Sequence, residues 1–523
     1  VGLVAALLCA PAASARQLAP LGHAGRWITD AGGRVVILHG VNMVYKLPPY
    51  APDAVGFGDD DAAFLEAHGF NSVRLGVIYA AVEPQPGIYD DAYLARIANT
   101  VRILADHRIY ALLDFHQDMY NELFQGEGEP AWSVQDDGLP PVPQTGFPGN
   151  YVAMPALERA FDHLWQDSPG PGGVGLQERY AAAWQHVAAY FRGHPGVMGD
   201  DLFNEPWPGS QWPSCANLEG CPAFDQAYLA PFMHRVIAAI HRVDPRVLTF
   251  YEPNVFFDFG ANTSIGNPGD GRTGMSFHDY CLAGQLGAPQ TGLGGLPCTT
   301  TEQQVFQNAD AQAGRTGDAL LLTEFGATDN LAVIQRLVDD ADRYMVGWDY
   351  WAYCGCGDPT GSPATEWLVE DPGRPPTGAN VNLRKLAVLE RPYPQAVSGT
   401  PRGFAYDPAT DVFRLSYSTA RASGRGRFPA GSETDIFIGA LHYPHGYSVI
   451  VTGAAPVSPP GAPILRLASC AGRSVITVWV APGRRWASDC RPPARRSGHT
   501  GPTRRTTPRP GGRPPHPPGA FTG

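Results

Sequence analysis

The amino-acid sequence predicts an α/β protein: a (β/α)8 TIM barrel followed by a small C-terminal antiparallel β-sandwich. Three observations predict it. Eight short apolar runs alternate with amphipathic stretches between about residues 26 and 390. Nearly every run ends on a polar or aromatic group able to do chemistry. After Pro394 the helical stretches stop, while short alternating strands continue.

The runs fall at 35–42, 72–76, 110–116, 197–205, 247–252, 275–278, 319–324 and 345–351. Between them lie amphipathic stretches such as 59–68, 92–107, 178–191, 225–243 and 331–341. Continuous apolar strands separated by helices mark a parallel sheet buried on both faces. Eight of them suggest closure into a barrel. An open nucleotide-binding sheet is the alternative, but no G-x-G-x-x-G follows a strand. The connection 117–175 is long, rich in Gly and Pro, and carries Trp132, Tyr151, Phe161 and Trp165. Loops of that length in compact domains are usually functional, so it is expected to wall a cleft.

Beyond residue 394, strands are expected at 404–406, 412–418, 434–438, 447–452, 464–468 and 474–480. The domains read as a signal peptide at 1–15, a barrel at 16–394, a sandwich at 395–490 and a disordered Pro/Arg-rich tail at 491–523. The first segment is apolar and ends in Ala13-Ser-Ala15, an A-x-A-like cleavage site, which predicts secretion. Its dozen apolar residues fall short of the roughly 20 needed to span a bilayer. The tail holds seven Arg and no acid, against a formal net charge of -12 for all 523 residues. It reads as a stalk, a wall linker or sequence without function. The acidic balance of the remainder argues against a nucleic-acid partner.

Setting Cys9 aside with the signal segment leaves eight cysteines, an even number that favours disulfides in a secreted chain. Local pairing joins Cys215 to Cys221, Cys281 to Cys298, Cys470 to Cys490 and, by remainder, Cys354 to Cys356. No C-x-x-C with a His or Cys mate is present, so neither a metal nor a cofactor is expected.

The run ends carry Asn42, Arg74, His116, Asn204 with Glu205, Glu252, His278 with Tyr280, Glu324 and Trp351. In a barrel these would converge on one face. Singly, each has a bland reading: Arg74 as a buried ion-pair partner, His278 as a hydrogen-bonded core histidine. Together they suit cleavage of a glycosidic bond, which needs two carboxyl groups in different environments. Arg74 beside Glu324 would hold the nucleophile ionised, with Tyr280 on the same carboxylate. Glu205 would be the acid, then the base. Asn204 would meet the sugar 2-hydroxyl, and Trp351 offers a flat face to a pyranose ring.

Leu202-Phe-Asn-Glu-Pro206, Thr323-Glu-Phe-Gly326, Ser72-Val-Arg-Leu75, His278-Asp-Tyr280 and Trp348-Asp-Tyr-Trp351 together resemble glycoside hydrolase family 5, retaining (β/α)8 enzymes. Within it, His39-Gly-Val-Asn42, Leu113-Asp-Phe-His-Gln-Asp-Met-Tyr120 and His442-Tyr-Pro-His-Gly-Tyr447 are similar to the endoglycoceramidases. The resemblance covers about residues 25–485. It implies that Glu205 is the acid/base and Glu324 the nucleophile, and that Arg74, His116, Asn204, His278, Tyr280 and Trp351 line the first sugar site. It further implies that Asp118 and His116, with Lys46 nearby, hold the reducing-end sugar. The implied substrate is a glycosphingolipid cut between oligosaccharide and ceramide, reached by transient contact with a membrane or micelle surface. An apolar slot for ceramide is expected from Val44, Tyr45, Leu47, Pro48 and Tyr50 with Phe256 and Phe257. The segments 126–132 and 136–149 depart from the family pattern and leave the headgroup open.

Two competitors remain at this stage. One keeps the chemistry on another substrate: an endo-β-1,4-glucanase, or a β-glucosidase or steryl glucosidase. The other is a non-catalytic carbohydrate- or lipid-binding protein on a degenerate barrel, which would have no use for two carboxyl groups in opposite protonation states.

Overall fold

The computed structural model describes residues 18–281 and 292–491. The expected signal segment 1–15 and, apart from Arg491, the basic tail lie outside the described residues. Eight parallel strands close a barrel: β4 (His39–Met43), β5 (Ser72–Val77), β6 (Tyr110–Phe115), β7 (Val197–Asp201), β8 (Leu248–Tyr251), β9 (Thr273–Asp279), β10 (Ala319–Phe325) and β11 (Gly347–Tyr350). Each coincides with one of the apolar runs, because every strand is buried on both faces by the interior and the surrounding helices. Two of the surrounding helices start at a capping side chain. Asp90 accepts from the backbone N–H of Ala92 and Tyr93 before helix Asp91–Asp106, and Asn330 accepts from Ala332 before Leu331–Tyr344.

The described strands of the C-terminal part are β12 (Tyr393–Val397), β13 (Thr400–Asp407), β14 (Val412–Ser418), β15 (Glu433–Phe437), β16 (Tyr447–Thr452), β17 (Ala454–Pro456), β18 (Ile464–Ser469), β19 (Val475–Pro482) and β20 (Trp486–Ser488). They form two facing sheets, one of order β13-β14-β19-β16-β20. The other contains an element the sequence reading had placed with the barrel. The N-terminal strands β1 (Gly22–Ala24), β2 (Trp27–Thr29) and β3 (Val35–Val36) enter it in the order β1-β2-β3-β12-β15-β18-β17. A partition into a barrel at 16–394 and a sandwich at 395–490 is therefore corrected, since residues 22–36 build the sandwich together with 393–488. The run 35–42 concealed this. Its first part, β3, pairs with β12, and its second part, β4, pairs with β5 and β11, yet both parts are buried.

Helix Cys298–Thr316 was also missed, because its Thr- and Gln-rich sequence has few large apolar residues at helical spacing. Barrel and sandwich meet at the strand N-termini. His39, which opens β4, stacks between Trp348 at 4.2 Å and Tyr393 at 3.6 Å, and the Tyr393 hydroxyl donates to Gly69 O at 2.7 Å. Arg391 reaches Asp339 and Asp342 at 2.8 and 2.9 Å. The opposite end of the barrel is left for the site. All four expected disulfides are formed. Among the described residues, no helix is long and apolar enough to cross a membrane.

Candidate active site

Strand alternation points Asn42, Arg74 and Asp201 into the barrel, and Arg74 is the hub. Its Nε donates to Asp201 at 2.8 Å, Nη1 to Glu324 Oε1 at 2.5 Å, and Nη2 to Asn204 Oδ1 at 2.9 Å and Glu252 Oε1 at 3.0 Å. Nη2 also lies 3.0 Å from Asp114. The second oxygen of Glu324 accepts from the Tyr280 hydroxyl at 3.1 Å, so both oxygens of this carboxylate are held.

Glu205 follows β7 with φ +45°. Its side chain is 13% exposed and accepts from His278 Nδ1 at 3.0 Å. The neighbouring Asn204 donates to Gln117 O at 3.0 Å, and the Gln117 amide returns a bond to Asn204 O at 2.8 Å. Glu205 and Glu324 bring carboxylate oxygens within 4.8 Å of each other. An approach that close fits the short separation of retaining glycosidases rather than the roughly 6.5–9.5 Å that seats a water for direct inversion.

The electrostatics correct one expectation. Burial pushes the Glu324 carboxyl above its ordinary value; His278 and Arg74 pull it back, and Glu205 adds to the push. Arg74 alone does not hold Glu324 low, because its charge is divided among four carboxylates. His278 supplies the missing positive charge. Burial opposes its imidazolium, but Glu252, Glu324 and Glu205 outweigh burial and raise it well above the ordinary range.

A second charged cluster adjoins. Lys46 Nζ lies 2.7 Å from Asp118, 3.0 Å from Asp358 and 2.8 Å from the Thr360 hydroxyl, and 4.4 Å above the Trp351 ring. His116 donates to Asp114 at 2.8 Å and stacks on Trp351 at 5.3 Å. Burial disfavours its charge, yet Asp114 and Asp118 raise its pKa to about 10. Asp118 shows the reverse balance: burial raises it, and Lys46 with His116 brings it well below the usual carboxylate range. Two groups, His116/Asp118/Glu127 and Glu205/His278/Glu324, have the donor types of a metal site. Each already binds a side-chain cation through one member, Lys46 on Asp118 and Arg74 on Glu324, and we read both as charge clusters.

One cleft of about 730 Å3 opens over these residues. Lys46, Asp118, Asn204, Glu205, Tyr280, Glu324 and Trp351 line it. Arg74, His116 and His278, expected to line the first sugar site, are buried beneath the cleft, where Arg74 and His278 contact Glu324 and Glu205 and His116 stacks on Trp351. The expected apolar slot is also displaced. Of its residues only Phe256 lines the cleft, joined by Trp207, Trp212, Val255 and Phe259; Val44 and Phe257 sit in the core, and Tyr50 turns to Glu122. From the long connection, Tyr151 lines the cleft with Phe147 and Val152, whereas Phe161 and Trp165 are core. Sequence reasoning passed over Asp114 and Asp201, whose signal is an unexplained acid inside an apolar strand, and left Glu252 without a role. Asp358 and Thr360 lie on the loop after β11 and carry no such signal.

Fold and site together define a glycoside hydrolase, and the chain belongs to glycoside hydrolase family 5. Residues 29–357 match the family described as Cellulase (glycosyl hydrolase family 5), and 391–480 match the glycoside hydrolase family 5 C-terminal domain. The chain is 35% identical over 451 residues to endoglycoceramidase I of Rhodococcus hoagii (strain 103S), covering 84% of each. It is also similar to solved structures of endo-glycoceramidase II from Rhodococcus sp., covering 87% of this chain and 99% of that one. These are a lactosyl-enzyme intermediate (28% identity, TM-score 0.70) and a ganglioside GM3 complex (27%, 0.70).

Proposed function

We propose that this chain is an endoglycoceramidase, cleaving the β-glycosidic bond between the oligosaccharide and the ceramide of glycosphingolipids with retention. The observation that carries the reading is a single cleft in which the close Glu205–Glu324 pair is accompanied by both a charged, sugar-type lining (Lys46, Asp118, Thr360) and an aromatic wall (Trp207, Trp212, Phe256, Phe259). A soluble glucan uses aromatic faces only to stack its pyranose rings; a glycolipid also needs an apolar surface for its hydrocarbon. The polar residues fix hydroxyl groups, and the wall takes the hydrocarbon of the leaving group.

Glu324, oriented by Arg74 and Tyr280, attacks the anomeric carbon while Glu205 gives its proton to the departing ceramide oxygen. The glycosyl–Glu324 ester is then hydrolysed. Glu205 takes a proton from water, the water oxygen joins the anomeric carbon, and Glu324 leaves as carboxylate. Four disulfides support folding in an oxidising compartment and hence secretion. The substrate's residence in membranes or micelles calls for transient contact with such a surface.

Digestion of a panel of gangliosides, neutral glycosphingolipids, steryl glucoside and soluble cellulose, read by mass spectrometry, tests the reading. Intact oligosaccharide and free ceramide are expected. Hydrolysis of cellulose or steryl glucoside with no action on any glycosphingolipid would overturn it.

A further inference from the structure

Glu252, at the end of β8, is 2% exposed and has no part in the chemistry described so far. Its Oε2 accepts the backbone N–H of Glu205 at 2.8 Å. Its Oε1 accepts from Arg74 Nη2 at 3.0 Å and lies 3.4 Å from His278 Nε2. The loops after β7 and β8 are joined once more, by Val255 N donating to Pro206 O at 3.2 Å. We propose that Glu252 is the positioning residue of the acid/base: it fixes the backbone turn that aims Glu205 and holds the imidazole that Glu205 shares with the nucleophile.

Two observations separate this from simple neutralisation of Arg74. First, Arg74 already faces Asp114, Asp201 and Glu324, so a fourth buried carboxylate is not required to balance one guanidinium, and an excess of buried negative charge is unfavourable. Second, Glu252 alone among these carboxylates bonds the backbone of Glu205. That residue has φ +45°, a left-handed conformation disfavoured for any side chain bearing a Cβ, and it is followed by a proline. A charge-assisted bond to the amide stabilises the conformation where it is needed. Through His278, whose other nitrogen lies 3.0 Å from Glu205 Oε1 and 3.6 Å from Glu324 Oε2, the same carboxylate orients the groups on both sides of the anomeric carbon.

Proton donation matters most for a poor leaving group, so the test compares two substrates with one sugar. For Glu252→Gln, kcat/KM on an alkyl β-lactoside is expected to fall by about 10²-fold or more, the range of a lost general acid. On 2,4-dinitrophenyl β-lactoside, whose leaving group needs no proton, the loss is expected to stay within about tenfold. A dinitrophenyl 2-fluoro-lactoside labels Glu324 and counts intact sites in the same sample, normalising both numbers. If Glu252→Gln does not fold, Glu252→Asp, which keeps the charge but is too short to keep all three contacts, gives the same ratio. Asp201→Asn, which touches Arg74 but not Glu205, is expected to lower both substrates equally. Equal losses on both substrates for Glu252→Gln, or no loss, overturn the proposal. The proposal rests on the retaining chemistry above but not on the lipid leaving group: a wild-type enzyme that cleaves neither lactoside would count against the proposed function, not against Glu252.

Discussion

Glu205 and Glu324 are bridged by one imidazole: His278 Nδ1 lies 3.0 Å from Oε1 of the first and 3.6 Å from Oε2 of the second. The ring is buried, and the carboxylates around it push its pKa well above the ordinary value against the opposing effect of burial, so a change on either carboxylate is felt by the other. This coupling sets the first expectation.

Because burial raises Glu324 and the cations His278 and Arg74 oppose that rise, the acid limb of kcat/KM should lie above the ordinary glutamate value of about 4.3. His278→Asn removes a cation that favours the ionised form. The limb should then move to higher pH, while activity on the alkaline side is affected less. A pH profile on an aryl lactoside reads both.

Glu324→Gln should abolish turnover, by about 10⁴-fold or more, because no other group can form the glycosyl ester. Glu205→Gln should be rescued by azide with a dinitrophenyl substrate, giving the β-glycosyl azide. Product anomers followed by NMR would show retention in the wild type; inversion would contradict the short carboxylate separation.

Lys46→Met leaves Asp118 buried with one cation fewer. Breaking a buried pair on one side destabilises by about 3–5 kcal/mol, which thermal unfolding will register. Asp118 has a depressed folded pKa, so its contribution to stability is present above the unfolded value of about 3.9 and is lost as pH falls through the folded one. Acid unfolding of the wild type should therefore include a component missing from Asp118→Asn.

Trp207→Ala or Phe256→Ala should lower kcat/KM on a glycosphingolipid by about 10–100-fold, the effect of losing one aromatic contact. Hydrolysis of a soluble aryl lactoside should change little. Equal loss on both would assign the aromatic wall to folding rather than to the lipid.

Removing Cys470–Cys490, which closes a loop of 20 residues, should destabilise the protein by about 3 kcal/mol. The double serine variant should keep its kcat at 25 °C, because the sandwich packs on the barrel end opposite the site.

The barrel was legible because each strand is a closed apolar run that ends in chemistry, so period and function marked the same positions. Glu205 and Glu324 could be found this way. The division of Arg74 among Asp114, Asp201, Glu252 and Glu324 could not, because pairing across the interior depends on register between strands distant in sequence. The aromatic wall escaped for a similar reason. Pro48 and Tyr50 follow the first barrel strand in an apolar cluster, but Pro48 is exposed and Tyr50 turns to Glu122, whereas Trp207 and Phe256 are brought together by the bond between the loops after β7 and β8. His39 fits a strand and gives no hint that its ring is the joint between barrel and sandwich.

The pairing of β3 with β12, Val36 opposite Ala396 and Val35 opposite Val397, gives this fold a long contact order. As the chain leaves the ribosome, β1–β3 can pair among themselves, but the outer edge of β3 waits for a partner about 360 residues downstream, roughly 20–70 s at ordinary rates of synthesis. Through that interval an apolar strand edge is open to wrong pairing, the state that chaperones shield. A stop before β12 leaves β3 without its second partner, whereas a stop later in the sandwich keeps that pair and removes strands of the facing sheet.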